Sequence, residues 1–468
     1  MRTLTRRNFV QMWASLAGAA VLAACGTTAT TPTPTSGASA TAVAGGTGAT
    51  TAGSPVATAA RKASGTIRYL LRAGSADETK LTQDFLDKNF TPQSGVKVTV
   101  EPTDATADEK LTAAMIGGTA QDVFDTWLDN VTQYADRGQV LDLDPLVQRD
   151  LTDADIKDFF AAQWKGFKLD SGVRFAMPKL INMAVVYYNL DLFDKAGLGR
   201  IDDTWDQDKY ADAARKLTQN GTYGLFFRAS ELGRWWYKLG AWGGNLVDPN
   251  DNTKAAFDSD EAVAALEWSR KLIFDDKAMG NQADLVGVGQ RAFDAIPAAF
   301  GAGKIAMVED GFYPFAQAKA VNKQFRWAYA AVPKGPKART AFSSTDGFAI
   351  WKGSKNPDAA WELVKYLSGT DFQLYLTQIT GYFPSRTSAT TGWKKALTDK
   401  YPELTDANLD VIPNSLNQGF PSERRLFKKD AEYRQIVTPA LQKVFLTGGA
   451  PAASFKDVAA QVTAKMRG

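Results

Sequence analysis

GTIRYLLRAG, beginning at Gly65, is followed by ADETKLTQDFLDKNF and then by GVKVTVEP, and no other feature of the 468-residue chain constrains its fold as much as this order. The first and third stretches are short apolar runs of the kind that form buried strands, and the middle one has the apolar spacing of an amphipathic helix. Strand, helix and strand at this spacing predict a parallel βαβ unit, because parallel neighbours need a crossover long enough to hold a helix. The pattern continues with helix DEKLTAAMIGG, strand QDVFDTW and helix NVTQYADRG. From Gly65 onward the chain is longer than the roughly 250–300 residues at which single cores stop growing, so two α/β domains are expected.

Upstream of this body, residues 5–26 read TRRNFVQMWASLAGAAVLAACG. Arg6 and Arg7 precede an apolar run from Val10 to Ala24, which is shorter than the roughly 20 residues a membrane-spanning helix needs. A basic segment before a short apolar one is an export signal, here of twin-arginine form. Leu22-Ala23-Ala24-Cys25 has the form of a bacterial lipobox, so residues 1–24 are expected to be cut away and Cys25 to carry a diacylglycerol anchor. Residues 25–64 are dominated by Thr, Ala, Gly, Ser and Pro, bury too little apolar surface to fold, and are expected to form a flexible linker. Cys25 is the single cysteine, so its acylation leaves no thiol for catalysis, metal binding or disulfides.

Removing residues 1–24 takes away Arg2, Arg6 and Arg7, which lowers Lys+Arg from 54 to 51 against 51 Asp+Glu. The mature chain is formally neutral and has no basic field to attract nucleic acid. Histidine is absent, which excludes Ser-His-Asp and Cys-His machinery and His-ligated zinc. GVGQRA at 287–292 fits a dinucleotide fingerprint, with Glu309 beyond it, but the preceding NQADLV makes a poor strand. DPNDNT places Asp248, Asn250 and Asn252 as in a calcium loop, yet Thr253 stands where glycine is needed and Ser259 where the bidentate glutamate belongs. A turn explains those residues better. No cofactor and no metal are expected.

A series of stretches in fixed order carries a resemblance: GVKVTV, KLTAAMIGGTAQDVFDTW, DRGQVLDLDPLV, FAMPKLINMAVVYYNLDLFDKAGL, GGNLVDPNDNTKAAFDSDEAVAALEWSRKLI, GKIAMVEDGFYPF, STDGFAIWKGSKNPDAAWELVKYL and GYFPSR. Over residues 65 to about 445 the chain resembles the extracellular solute-binding proteins of ABC importers, in the carbohydrate-binding branch similar to maltose-binding protein. The resemblance implies a two-domain periplasmic-binding-protein fold of type II, with ligand in a cleft between domains joined by about three crossing segments. Carried over, the crossings lie near Leu180–Ala184, Lys304–Val308 and Thr345–Ala349, which divides the body into 65–181 plus 306–345 and 182–305 plus 346–468. It also implies a monomer that delivers a sugar or oligosaccharide to permease subunits from the outer face of the cytoplasmic membrane.

Sugar recognition needs an aromatic face for the C–H side of a ring and paired donors and acceptors for its hydroxyls. Trp127, Trp235, Trp236 and Trp242 occur in DTWLDN, GRWWYK and GAWGGN, where strands or helices end in polar or Gly-rich loops, and are the aromatic candidates. Trp164, Trp205, Trp268, Trp327, Trp351 and Trp361 lie in amphipathic or strand patterns and are read as structural. The positions matching the family's polar contacts are Asp125, Asn182, Asp310, Tyr313, Asp346, Tyr382 and Arg386. Two other readings stay open. One is a secreted glycosidase working with a pair drawn from Asp125, Asp310 and Asp346; the other is the same fold holding a peptide, a polyamine or a metal chelate.

Overall fold

One long strand, β4 (Met177–Asn189), joins two halves of the molecule, and at 13 residues it is more than twice the usual strand length of about 5–6. The computed structural model describes residues 65–72, 76–103, 107–169, 172–285, 292–312, 326–402, 406–422 and 424–468, with 324 and 404. Cys25 and the linker, Tyr313, and residues 287–291 of the glycine motif lie outside the described residues.

Around β4 run β1 (Gly65–Leu71), β2 (Val96–Pro102), β3 (Val123–Trp127), β5 (Tyr223–Phe227), β6 (Met279–Gly280), β7 (Ile305–Gly311) and β9 (Ala341–Ile350), in the order β2-β1-β3-β9-β4-β7-β5-β6. β8 (Trp327–Ala330) and β10 (Phe383–Pro384) also pair with β4, and β11 (Pro421–Ser422) with β9. The predicted βαβ unit is present: β1 and β2 are parallel, with Ile67 opposite Val98, and α1 (Ala76–Asn89) connects them. The first half of β4 pairs antiparallel with β9, Asn182 opposite Ser344, and its second half pairs with β7, Val185 opposite Asp310.

Strand alternation puts helices on both faces of each half. In the first half Ile67, Tyr69 and Leu71 pack in one buried cluster with Leu86 of α1 and with Trp361 and Leu376 from α8 (Pro357–Leu367) and α9 (Thr370–Thr380). Leu70 points the other way, to Leu111 of α2 (Ala107–Ile116) and Val131 of α3 (Leu128–Asp136). In the second half Ala184, Val186 and Tyr188 of β4 face α4 (Gln207–Leu217), α5 (Trp236–Trp242), α6 (Asp260–Phe274), α12 (Asp430–Phe445) and α13 (Phe455–Arg467). Met183, Val185 and Tyr187 face α7 (Ala292–Gly301), α10 (Thr390–Lys400) and α11 (Val411–Gln418). Burial on both faces explains why YGLFF and IAMV are continuous apolar runs with no polar alternation.

The pairing sorts the strands differently from the expected division. β7 joins β5 and the second half of β4, so 306–311 group with 182–305, whereas 346–350 pair with β3 and group with the first half. The DPNDNT segment closes on itself as a turn: the Asp248 carboxylate accepts from the Asn250 backbone N–H at 2.9 Å and pairs with Lys254 at 2.9 Å.

Candidate ligand cleft

Three strands bring carboxylates to the place where β4 passes between the halves. Asp125 on β3 is almost sealed from water and accepts three hydrogen bonds: from the Tyr69 hydroxyl at 2.6 Å, the Arg72 backbone N–H at 3.1 Å and Lys179 Nζ at 2.5 Å. Lys179 is the one cation inside the apolar run of β4, and its side chain is 3% exposed, so it is held in the strand by this pair. Asp346, on β9 opposite both Leu180 and Trp127, has Arg72, Lys179 and Asp125 as its charged neighbours. Burial pushes its carboxyl above the ordinary carboxylate value; Arg72 and Lys179 oppose that and Asp125 adds to it. Tyr382 completes the group, its phenol pushed up by burial and by the carboxylates of Asp346 and Glu78. Among the described residues none hydrogen-bonds to the Asp346 carboxylate or the Tyr382 hydroxyl, so both keep open bonding capacity.

On the other side of the crossing, Asp310 of β7 accepts from Arg228 at 2.7 Å, Arg234 at 3.1 Å and the Gly311 backbone N–H at 2.7 Å. Arg234 also lies over the ring of Phe342 on β9, at 4.1 Å. Asn182 stands between the two groups: its side-chain oxygen is buried with no partner among the described residues and sits against Gly311, where a Cβ would come within 2.2 Å of it. A side chain at 311 would therefore displace the Asn182 amide. From Asp125 the polar chain extends through Arg72 to Asp108, 3.7 Å away, at the edge of a cavity of about 520 Å³. Its walls are Asp108 and Thr112 of α2, Gln133 and Arg137 beyond them, and Arg434 of α12 from the opposite half. That size lies within the usual range for small-molecule sites, roughly 300–1,000 Å³.

Of the expected contacts, the structure gathers Asp125, Asn182, Asp310, Asp346 and Tyr382 at the crossing. Trp127 ends β3 beside Asp346 in register. Three others are corrected. Trp235 is 1% exposed and packs between Phe257 and Phe455, at 5.5 and 5.3 Å, and Trp242 packs on Trp268 at 5.8 Å. With Leu239 they form an i, i+4, i+7 stripe that α5 turns into the core of its half. Trp236 belongs to the same cluster and keeps 9% of its surface exposed. Arg386 is taken up structurally: it donates to the Ser368 carbonyl at 2.6 Å and to Asp158 at 3.1 Å, and it covers Phe159. Tyr69, Arg72, Lys179, Arg228 and Arg234 were not expected from the sequence. A single lysine among thirteen strand residues that carry no other charge was the available signal for Lys179.

Comparison with known proteins agrees with this architecture. The chain is 26% identical to an erythritol/L-threitol-binding protein of Mycolicibacterium smegmatis, over 97% of this chain and 94% of that one. It is also 26% identical to a putative binding protein of Brucella abortus, over 63% of this chain and 69% of the relative. Among solved structures, an ABC substrate-binding protein from Listeria monocytogenes in complex with cycloalternan superposes with a TM-score of 0.72 at 22% identity, covering 86% of this chain and 98% of that one. The shared fold is the two-domain α/β fold of periplasmic solute-binding proteins of the maltose-binding type. The family model for bacterial extracellular solute-binding proteins matches residues 73–374, and it is to this family that the chain belongs.

Proposed function

We propose that the protein captures a sugar, a sugar alcohol or an oligosaccharide in the cleft at the crossing and delivers it to an ABC permease. The carrying observation is the proximity of Asp346 and Tyr382, polar groups with unused bonding capacity, at the strand crossing. A hydroxylated ligand matches such groups, since each hydroxyl both donates and accepts. The relative named as an erythritol/L-threitol-binding protein, and the structural neighbour holding cycloalternan, support ligands of this class. Asp125 and Asp310 are each committed to cations, which favours binding over a glycosidase pair. The moving bodies in this reading are 65–183 with 343–386, and 184–342 with 387–468, following the strand pairing of β4.

A ligand closes such a cleft only through its greater affinity for the closed form. A thermal-shift screen spanning tetritols, hexoses and maltodextrins should therefore find a stabilising ligand, which at a hundredfold excess over its Kd contributes about 2.7 kcal/mol. With that ligand the radius of gyration from small-angle scattering should fall; an unchanged radius would remove the closure. Hydrolysis products in the same incubations would instead support the enzyme, and shifts with peptides or cations alone would replace the ligand class.

Placement outside the cytoplasm follows from the family, and among the described residues no helix is long and apolar enough to cross a membrane. In our reading the mature protein is a monomer tethered by a lipid on Cys25 after export through a twin-arginine signal. Cys25→Ala should abolish palmitate labelling and release the protein from the membrane fraction. Equal labelling of the variant and the parent would sink the anchor.

A further inference from the structure

Two consecutive residues of β7 are acids; one grips a cation of the segment that leads into α5 and the other a cation within α5. Asp310 holds Arg234 at the cleft face. Glu309, behind it, holds Lys238, four residues further on, at 2.7 Å. This second pair is sealed in, with side chains 0% and 2% exposed. The Tyr237 hydroxyl donates to the same carboxylate at 2.6 Å. The rings of Phe227, Trp268, Tyr237 and Tyr210 surround the ammonium at 5.1 to 5.9 Å.

Such a pair is a poor source of stability, because removing two charges from water offsets most of their attraction, and apolar residues of similar volume often do as well. What it supplies is direction. The Trp235, Leu239 and Trp242 stripe of α5 is held by apolar contact, which is non-directional. A slip of one residue along the helix shifts it by about 1.5 Å and turns it by about 100°. That slip would carry Arg234 away from Asp310 and from the ring of Phe342.

We propose that Lys238 and Glu309 are positioning residues: their buried pair fixes α5 on β7 and so holds Arg234 on Asp310 at the ligand cleft. The inference rests on the ligand reading only where binding is measured. Its test compares the parent with Lys238→Met, Glu309→Leu, the double variant and Tyr237→Phe. Each single charge removal should lower the melting temperature by stranding a buried charge, and the double should recover most of that loss. Backbone hydrogen exchange over 228–236 in the double should nevertheless be faster than in the parent by roughly tenfold, with distant segments unchanged. Tyr237→Phe, which unpairs no charge, should give a smaller rise in the same segment. Affinity for erythritol or maltotriose, whichever the parent binds, should fall about tenfold in the double. Parent-like exchange over 228–236 in the double variant would overturn the proposal; if the double does not fold, parent-like exchange in Tyr237→Phe would overturn it. A parent that binds neither sugar counts against the sugar reading, and exchange over 228–236 then decides the positioning role by itself.

Discussion

Lys179→Met is expected to destabilise the fold by about 3–5 kcal/mol, a large part of the roughly 5–15 kcal/mol that holds a typical domain together. Asp125 is 4% exposed overall, and of its three hydrogen-bond donors only Lys179 brings a charge, at 2.5 Å. Without that ammonium, Tyr69 and the Arg72 backbone still donate, but the carboxylate is left as a buried charge without its counter-ion. Asp125→Asn added to Lys179→Met should restore much of the loss, because the pair is then replaced by a neutral amide and a methylene chain. Urea unfolding of the three proteins measures both steps. A Lys179→Met variant within about 1 kcal/mol of the parent would mean that water reaches Asp125 and that the pair is not sealed.

Much of the chain trace was legible from local pattern. The βαβ start depends on runs within a few residues of each other, and the structure places β1, α1 and β2 there; the crossing near Leu180–Ala184 comes from the family resemblance, and β4 runs through it. Which half a strand joins is a different kind of information. IAMVEDG carries no mark of whether it pairs with β1 and β3 or with β5, since buried parallel strands look alike, and its partners lie more than 70 residues away in sequence. Carrying the family's crossings over by position therefore put 306–345 in the first body, while the pairing puts β7 and β8 with the second.

The candidate site shows the same limit at the level of side chains. Asp125, Asp346 and Tyr382 are candidates by the family resemblance, and the strand pairing sets Asp125 on β3 and Asp346 on β9 beside β4. GRWWYK and GAWGGN read as loop ends rich in glycine, but Gly240 lies inside α5, and the helical period turns Trp235 and Trp242 inward. Arg386 is a cleft candidate only by its match to the family's polar contacts. Here it is 6% exposed and ties the 155–158 turn to the end of α8. Arg228 and Arg234 were invisible for a converse reason: their meaning lies in Asp310, 82 and 76 residues away.

Asp346→Ala is expected to weaken ligand binding by roughly ten- to a hundredfold, the equivalent of one lost charge-assisted hydrogen bond at about 1.5–3 kcal/mol. Arg72 and Lys179 attract the Asp346 carboxylate electrostatically, yet no described residue hydrogen-bonds to it. A ligand hydroxyl donating to it would supply what the protein leaves out, and that gain exists only in the complex. Stability should respond in the opposite sense from Lys179→Met. Burial raises the folded-state pKa of Asp346 above its unfolded value, so the folded state holds the proton more tightly. The ionised group therefore costs stability at neutral pH, and that cost disappears as pH falls below the unfolded value. Asp346→Asn should accordingly melt at or above the parent temperature near neutrality, with the difference shrinking on acidification. Affinity of the parent should decline as Asp346 takes up its proton, while the affinity of Asp346→Asn, already weaker, should stay flat over the same range. Calorimetric titration with the best sugar from the screen, repeated across pH, reads both trends. Equal pH dependence in parent and variant would assign the titration to another group and remove Asp346 from the contact.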